Sequence, residues 1–382
     1  MDIKEFKTDK PNDYVWKLLS YLKDKEYVVD IIKNQCKNEK IETNKLKRNF
    51  NKQAEEYFLS LKSNISLAIK PLLLYYGIVS LTQALVLVKK DGLYSIDKLR
   101  NDRKHNHHGL ENDFTLLGMD KINLETFLNS IKCKVHTNKG VPWGQFSLFY
   151  DVLQPNFGVF NYDMYNKINR ISYKRKGIYG YSDKVVIDSL IQEKICLNRL
   201  IKILPDMYMT MKNFNINMDL YRGLHAGKII KDTAFETITN SYFIHNISIP
   251  DQDVLTNFYK EKNSELIKIF SDESNITLKE NIKYKFNVST PLRIYEPCRV
   301  ESDSGDVYYI KKPNKYIMET ASHYIITYCL GMLARYFPDY WMKVINNFRI
   351  RAFIDELVSI IECRFPKLII DQFFNCKHLI NN

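Results

Sequence analysis

The feature that most constrains this chain is its longest apolar run, Leu72 to Val88, which directly follows Lys70-Pro71. The run is seventeen residues long, at the bottom of the ~17 to 25 needed to span a bilayer, and it contains Gly77, Ser80, Thr82 and Gln83. It therefore predicts the core helix of a folded protein. Pro71 fits the first turn of that helix, because its missing N–H would be unpaired there anyway. Lys89-Lys90-Asp91-Gly92 closes it with cations in the last turn and a glycine just beyond. The preceding segment, Lys45 to Lys62, also reads as helix, so two long helices, about 45–65 and 71–90, are expected to pack antiparallel.

The rest of the chain is read around that pair. Val15, Leu18, Leu19, Leu22, Val28, Val29 and Ile32 recur at helical spacing about a charged turn, which predicts a helical hairpin over 14–32. A short helix is expected at Leu124–Ile131. Phe146–Tyr165 is an aromatic segment, and Tyr173–Lys184 reads as a glycine-tyrosine-basic loop. Ser182 or Asp183 could cap a helix from Val185 to Leu204, stopped by Pro205. Between Tyr284 and Lys312, short β-branched and aromatic runs separated by Pro291, Pro297 and Gly305 predict a small antiparallel sheet. Helices return at 315–336, 339–346, 351–363 and 366–374.

Thirteen glycines and eleven prolines in 382 residues are few for an all-β chain, so the fold class is mainly α. We expect N-terminal helices (1–110) and C-terminal helices (315–382) to form one bundle, with an α+β insertion at 111–314. The seven cysteines are odd in number and dispersed, with no C-x-x-C pair, which points to a reducing compartment and away from a thiolate zinc site. No apolar leader is visible at the N-terminus, so a cytoplasmic protein without a membrane partner is expected. The net charge of +12 favours polyanions, although a composition rich in Lys and Asn accounts for part of it.

Three separated blocks resemble the bacterial YaaC-like protein family. They are SLAIKPLLLYYGIVSLTQALVL (66–87), His108-Gly109-Leu110, and SHYIITYCLGMLARYFPDYW (322–341), whose end reads R-Y-x-P-x-x-W. The resemblance covers the two ends of the chain better than residues 115–310, and implies an all-helical core.

A second resemblance lies in the segment richest in Arg, Lys and His. Arg100-Asn101-Asp102-Arg103-Lys104-His105 resembles the R-N-x-x-x-H motif of HEPN ribonucleases, and Arg103 with His108 repeats the spacing. That resemblance implies metal-independent RNA cleavage in a toxin or antiviral defence effector, with Arg and His presented across a homodimer, RNA as partner and no cofactor. The residue types suit the chemistry: an imidazole titrating near neutrality takes the 2′-hydroxyl proton, a guanidinium holds the phosphate, and Asn101 orients one of them. The alternative is a solvated basic loop on a non-catalytic scaffold that binds nucleic acid, a nucleotide or a protein partner. A metal on His105, His107, His108 and Glu111 or Asp113 is disfavoured, because adjacent side chains on a helix point apart. Lys167, Arg170, Lys174, Arg175 and Lys176, interleaved with Tyr173, combine phosphate-binding cations with a stacking ring, as single-stranded nucleic acid requires. Leu220-Tyr221-Arg222-Gly223 only faintly resembles an ADP-ribosyltransferase element. Arg335 is expected to neutralise the carbonyl end of its helix, with phosphate or nucleotide binding as the alternative, and His225 and His323 to be structural.

Overall fold

Lys70–Lys89 is helical over its whole length in the computed structural model, and it is buried almost all round. This model describes residues 3–35, 50–62, 65–89, 99, 101–118, 121–154, 157–167, 170–180, 187–231, 235–245, 253, 257, 267–271, 275–285, 293–295, 299–311 and 316–381. Two units emerge, each continuous in space but not in sequence: a helical unit (4–154, 185–201 and 317–382) and a sheet unit (1–3, 155–184 and 202–316).

The helical unit is a mainly α bundle built from helices at both ends of the chain. Its principal helices are α1 (Pro11–Tyr21), α2 (Lys25–Gln35), α3 (Phe50–Lys62), α4 (Lys70–Lys89), α5 (Leu124–Ser130), α6 (Gln145–Val152), α7 (Glu319–Tyr336), α8 (Pro338–Asn346) and α9 (Phe348–Phe374). Helix α4 packs against α2, α3, α6, α7 and α9. Helix α4 is long and apolar enough to cross a membrane, and it is mostly enclosed by its neighbours. Small residues set the closest approaches. A Cβ on Gly77 would lie 2.8 Å from the Phe58 ring, and one on Gly331 of α7 would lie 3.3 Å from Tyr75 Cβ.

Caps and buried polar pairs fix the helix ends. Asn123 forms a reciprocal capping box with Thr126 at the start of α5. Asn347 accepts from the amides of Arg349 and Ile350 at the start of α9, and Asn375 in the left-handed region ends it. Glu319, in the first turn of α7, receives Arg364 of α9 through both oxygens, at 2.9 and 3.3 Å, inside the core. Trp341 Nε1 of α8 donates to the Ala68 carbonyl just before α4 at 3.1 Å. The three family-like blocks therefore meet around α4.

Among the described residues the sheet unit holds nine strands: β1 (Phe157–Asn166), β2 (Ile171–Gly180), β3 (Leu220–Lys231), β4 (Phe235–His245), β5 (Ile267–Ser271), β6 (Asn275–Lys285), β7 (Arg293–Tyr295), β8 (Arg299–Glu301) and β9 (Val307–Ile310). Their order is β5-β6-β4-β3-β1-β2-β7, with β9 pairing the start of β3 and β8 pairing β9. Most pairs are antiparallel. The exceptions are β1 with β3 and β2 with β7.

Several sequence expectations change at the level of elements. The stretch Tyr173–Lys184, expected as a loop, is strand β2 as far as Gly180; the proposed caps Ser182 and Asp183 lie outside the described residues. The helix expected over 185–204 is broken into one-turn pieces, Ile187–Leu190 and Leu197–Ile201, around Ile195–Cys196, which pairs with Lys132–Cys133 instead. Strand content extends well beyond the runs at 284–312. At the C-terminus, 351–363 and 366–374 are one helix, α9, with Pro366 inside it.

Candidate functional site at the His108 crossing

After α4 the chain crosses itself. Residues 103–109 run beneath 143–146, and the crossing is sewn by main-chain bonds: Gly144 N to Lys104 O (2.8 Å), Gln145 N to His107 O (2.8 Å), Phe146 N to His108 O (3.0 Å) and His136 N to Gly109 O (3.0 Å). Two of these donors open α6, so the loop carbonyls satisfy N–H groups that a helix start leaves without intrahelical partners. Only glycine fits at the contact. Gly109 (φ +84°) and Gly144 (φ +98°) both adopt the left-handed region, and a Cβ on Gly144 would fall 2.5 Å from Gly109 Cα.

This crossing holds His108 against the bundle. Its Nδ1 is 2.7 Å from Tyr75 Oη of α4. Tyr324 Oη donates to the His108 carbonyl at 3.4 Å and Tyr328 Oη to the Leu110 carbonyl at 2.8 Å, both from α7. The three tyrosine rings pack edge-on, with Tyr75 5.8 Å from Tyr324 and 5.7 Å from Tyr328 between centroids. Burial raises the Tyr75 phenol well above its ordinary value, so it stays protonated. His108 is only half-buried. Burial lowers its pKa first, and the charges of Arg335 and His107 lower it further, so the imidazole is held neutral near pH 7. Arg335 ends α7, exposed, with its guanidinium bonded to Tyr76 Oη and stacked 5.1 Å over Tyr336. Beside them His136 Nδ1 bonds Glu111, and His107 packs on His136 at 5.7 Å.

A model of the YaaC-like protein family matches residues 20–373, most of the chain. The chain belongs to the YaaC-like family. No curated protein and no solved structure matches it.

Within this YaaC-like fold the sequence-derived site residues separate. Arg100 lies outside the described residues. Asn101 and Arg103 are exposed, and the Arg103 carbonyl accepts from Trp143 Nε1 at 3.0 Å. His105 is buried, with Nε2 3.6 Å from Asp102 Oδ2, whereas His108 is half-buried. Among the described residues no group of three or more His, Cys, Asp or Glu is arranged to hold a metal. Lys167 and Arg170 are exposed in the β1–β2 turn, with Arg170 at φ +54°. Tyr173, Lys174, Arg175 and Lys176 lie in β2, in register with Met164, Asp163, Tyr162 and Asn161.

Sequence reasoning missed Tyr75, Tyr76, Tyr324 and Tyr328 as site residues, and gave Arg335 a helix-end role with phosphate or nucleotide binding as the alternative. The available signal was spacing: Tyr324 and Tyr328 stand i, i+4 on one face of α7, and Tyr75-Tyr76 place two phenols within the apolar run of α4.

Proposed function

We propose that this YaaC-like protein binds RNA and cleaves it without a metal ion, at His108. The observation that carries the reading is a half-buried imidazole, kept neutral by its surroundings, bonded through Nδ1 to Tyr75 and set near an exposed guanidinium, Arg335. In this reading His108 Nε2 takes the 2′-hydroxyl proton as that oxygen attacks phosphorus. The P–O5′ bond breaks, the 5′-oxygen takes up a proton from solvent water, and a 2′,3′-cyclic phosphate results. Arg335 stabilises the charge developing on the phosphoryl oxygens, and Tyr75 positions the ring. This moves the catalytic histidine from the first Arg-x4-His register to the second.

The test is incubation of the full chain with total tRNA and mRNA in EDTA. Cleavage should persist in EDTA, fall at least ~100-fold in His108→Ala and in Arg335→Ala, and lose activity toward acid with a midpoint below 6.5. Cleavage unchanged in His108→Ala would overturn the assignment. The second reading is a non-catalytic RNA- or partner-binding scaffold. It is favoured by the burial of His105 and by the tyrosine bonds that tie the crossing to α4 and α7; RNA binding without product in the same assay would support it.

A further inference from the structure

The sheet unit contains a second candidate site, unrelated to the crossing. A cavity of about 440 Å³ lies within the ~300–1,000 Å³ range of small-molecule sites. Its walls are the short helix Tyr208–Asn213, the turn that follows it, the first residues of β3 and Lys311 just after β9. The floor is apolar and buried: Ile216, Met218 and Leu220.

Local structure explains how the charged walls form. Strand β9 pairs with β3 so that Tyr309 faces Tyr221 and Tyr308 faces Arg222. Lys311 continues this ladder by donating its amide to the Asp219 carbonyl at 3.0 Å. This register places the Lys311 ammonium 4.5 Å over the Tyr221 ring, a cation–aromatic contact that holds the charge in place. The Tyr208 ring packs on Tyr308 with centroids 4.8 Å apart, which fixes its orientation at the cavity wall. Asn215, at φ +58°, turns the chain from the helix back toward β3.

The charge balance selects the ligand. Among the described residues, Lys212, Arg222 and Lys311 line the cavity and no carboxylate does. Asp306 offsets one of these cations by bonding Arg222 Nη2 at 2.9 Å, which leaves Lys212 and Lys311 as the two lining cations outside that ion pair. Three cations less one acid leave an excess of two positive charges. A phosphate monoester carries roughly −1.5 to −2 near neutrality, whereas an internal RNA phosphodiester carries only one. A flat aromatic wall beside that charge suits a base ring.

We propose that this cavity binds a nucleoside monophosphate, with the phosphate on Lys212, Arg222 and Lys311 and the base against Tyr208. The exposed amides of Asn215 and Asn217 are placed to meet the base edge, since each offers both a donor and an acceptor.

Calorimetric titration of the full chain with each of the four ribonucleoside 5′-monophosphates, with adenosine and with inorganic phosphate tests this. At least one monophosphate should bind, and adenosine should not. Lys212→Gln and Lys311→Gln should each weaken the nucleotide at least about tenfold. Tyr208→Ala should weaken the nucleotide while leaving inorganic phosphate unchanged. Circular dichroism checks that each variant folds; Lys212, exposed on the helix end, carries the test if Lys311→Gln does not fold. His108→Ala should bind the nucleotide as the parent does, which separates this site from the crossing. No binding by any monophosphate at millimolar concentration, or binding insensitive to both lysine substitutions, overturns the proposal. Inorganic phosphate binding as tightly as every nucleotide would overturn the base contact and leave an anion site alone.

Discussion

Replacing Gly144 by alanine should be among the most damaging small substitutions in the helical unit. Its φ of +98° costs an L-residue about 1–2 kcal/mol. The added Cβ would also lie 2.5 Å from Gly109 Cα, 2.6 Å from Gly109 N and 3.0 Å from the His107 carbonyl, all main-chain atoms that no rotamer change can move. Relief requires lifting the two strands of the crossing apart, which breaks the Gly144–Lys104 and Gln145–His107 bonds at about 1 kcal/mol each. The sum is about 3–4 kcal/mol. Gly140→Ala is the internal control, since its φ is +78° but nothing lies within 4 Å of its Cβ position; it should cost only about 1 kcal/mol. Urea titration followed by tryptophan fluorescence reads the right unit, because Trp16, Trp143 and Trp341 all lie in the helical unit. A Gly144→Ala loss within 1 kcal/mol of the Gly140→Ala loss would refute the claim that the crossing is a rigid contact.

Other consequences are equally direct. Burial lowers the His323 pKa to about 4, against the opposing pull of Glu319. The unfolded chain therefore binds the extra proton between pH ~6.5 and ~4, and stability falls as pH drops through that window. From pH 7.5 to 5 this contributes about 2 kcal/mol of loss; His323→Gln should flatten the urea midpoint by that amount, and an unchanged slope against pH would refute it. In RNA binding, Lys167→Ala with Arg170→Ala should reduce the log–log salt slope by about 1.4, at ~0.7 per single-strand phosphate contact. A filter-binding series over several salt concentrations that shows an unchanged slope would make that turn ordinary solvated surface.

The parts of the fold legible in sequence are those where a local pattern carries the burial. Helix α4 is apolar on every face, and α1 and α2 repeat apolar residues at helical spacing, so these elements stand out without tertiary knowledge. Pro366 misleads because the local rule assigns a stop. Within α9, the buried Phe365, Leu368 and Ile369 on either side of it outweigh the ~3 kcal/mol of a proline in a helix interior. Ile195 also recurs at helical spacing, but its main chain is taken by Cys133, some sixty residues earlier, a pairing that no local window contains. Strand β6 does show alternation, at Ile276, Leu278, Ile282 and Tyr284, interrupted by Glu280 in a lysine- and asparagine-rich stretch. At the candidate site, His108-Gly109 is visible as a motif. Its partners are not, because Tyr75 and Arg335 join it only after distant helices dock.

Helix α4 also bears on how this protein is made. Its partners α7 and α9 begin at Glu319 and Phe348, more than 200 residues after α4 ends at Lys89. At ~5–20 residues per second, an emerging chain would wait about 10–50 s before the helices that cover its most apolar segment leave the ribosome. Throughout that interval, among the described helices packed on it, this membrane-like stretch has α2, α3 and then α6 to lie against. Synthesis of this protein therefore carries a long exposed intermediate, one that a holding chaperone would recognise and that a truncated product would never leave.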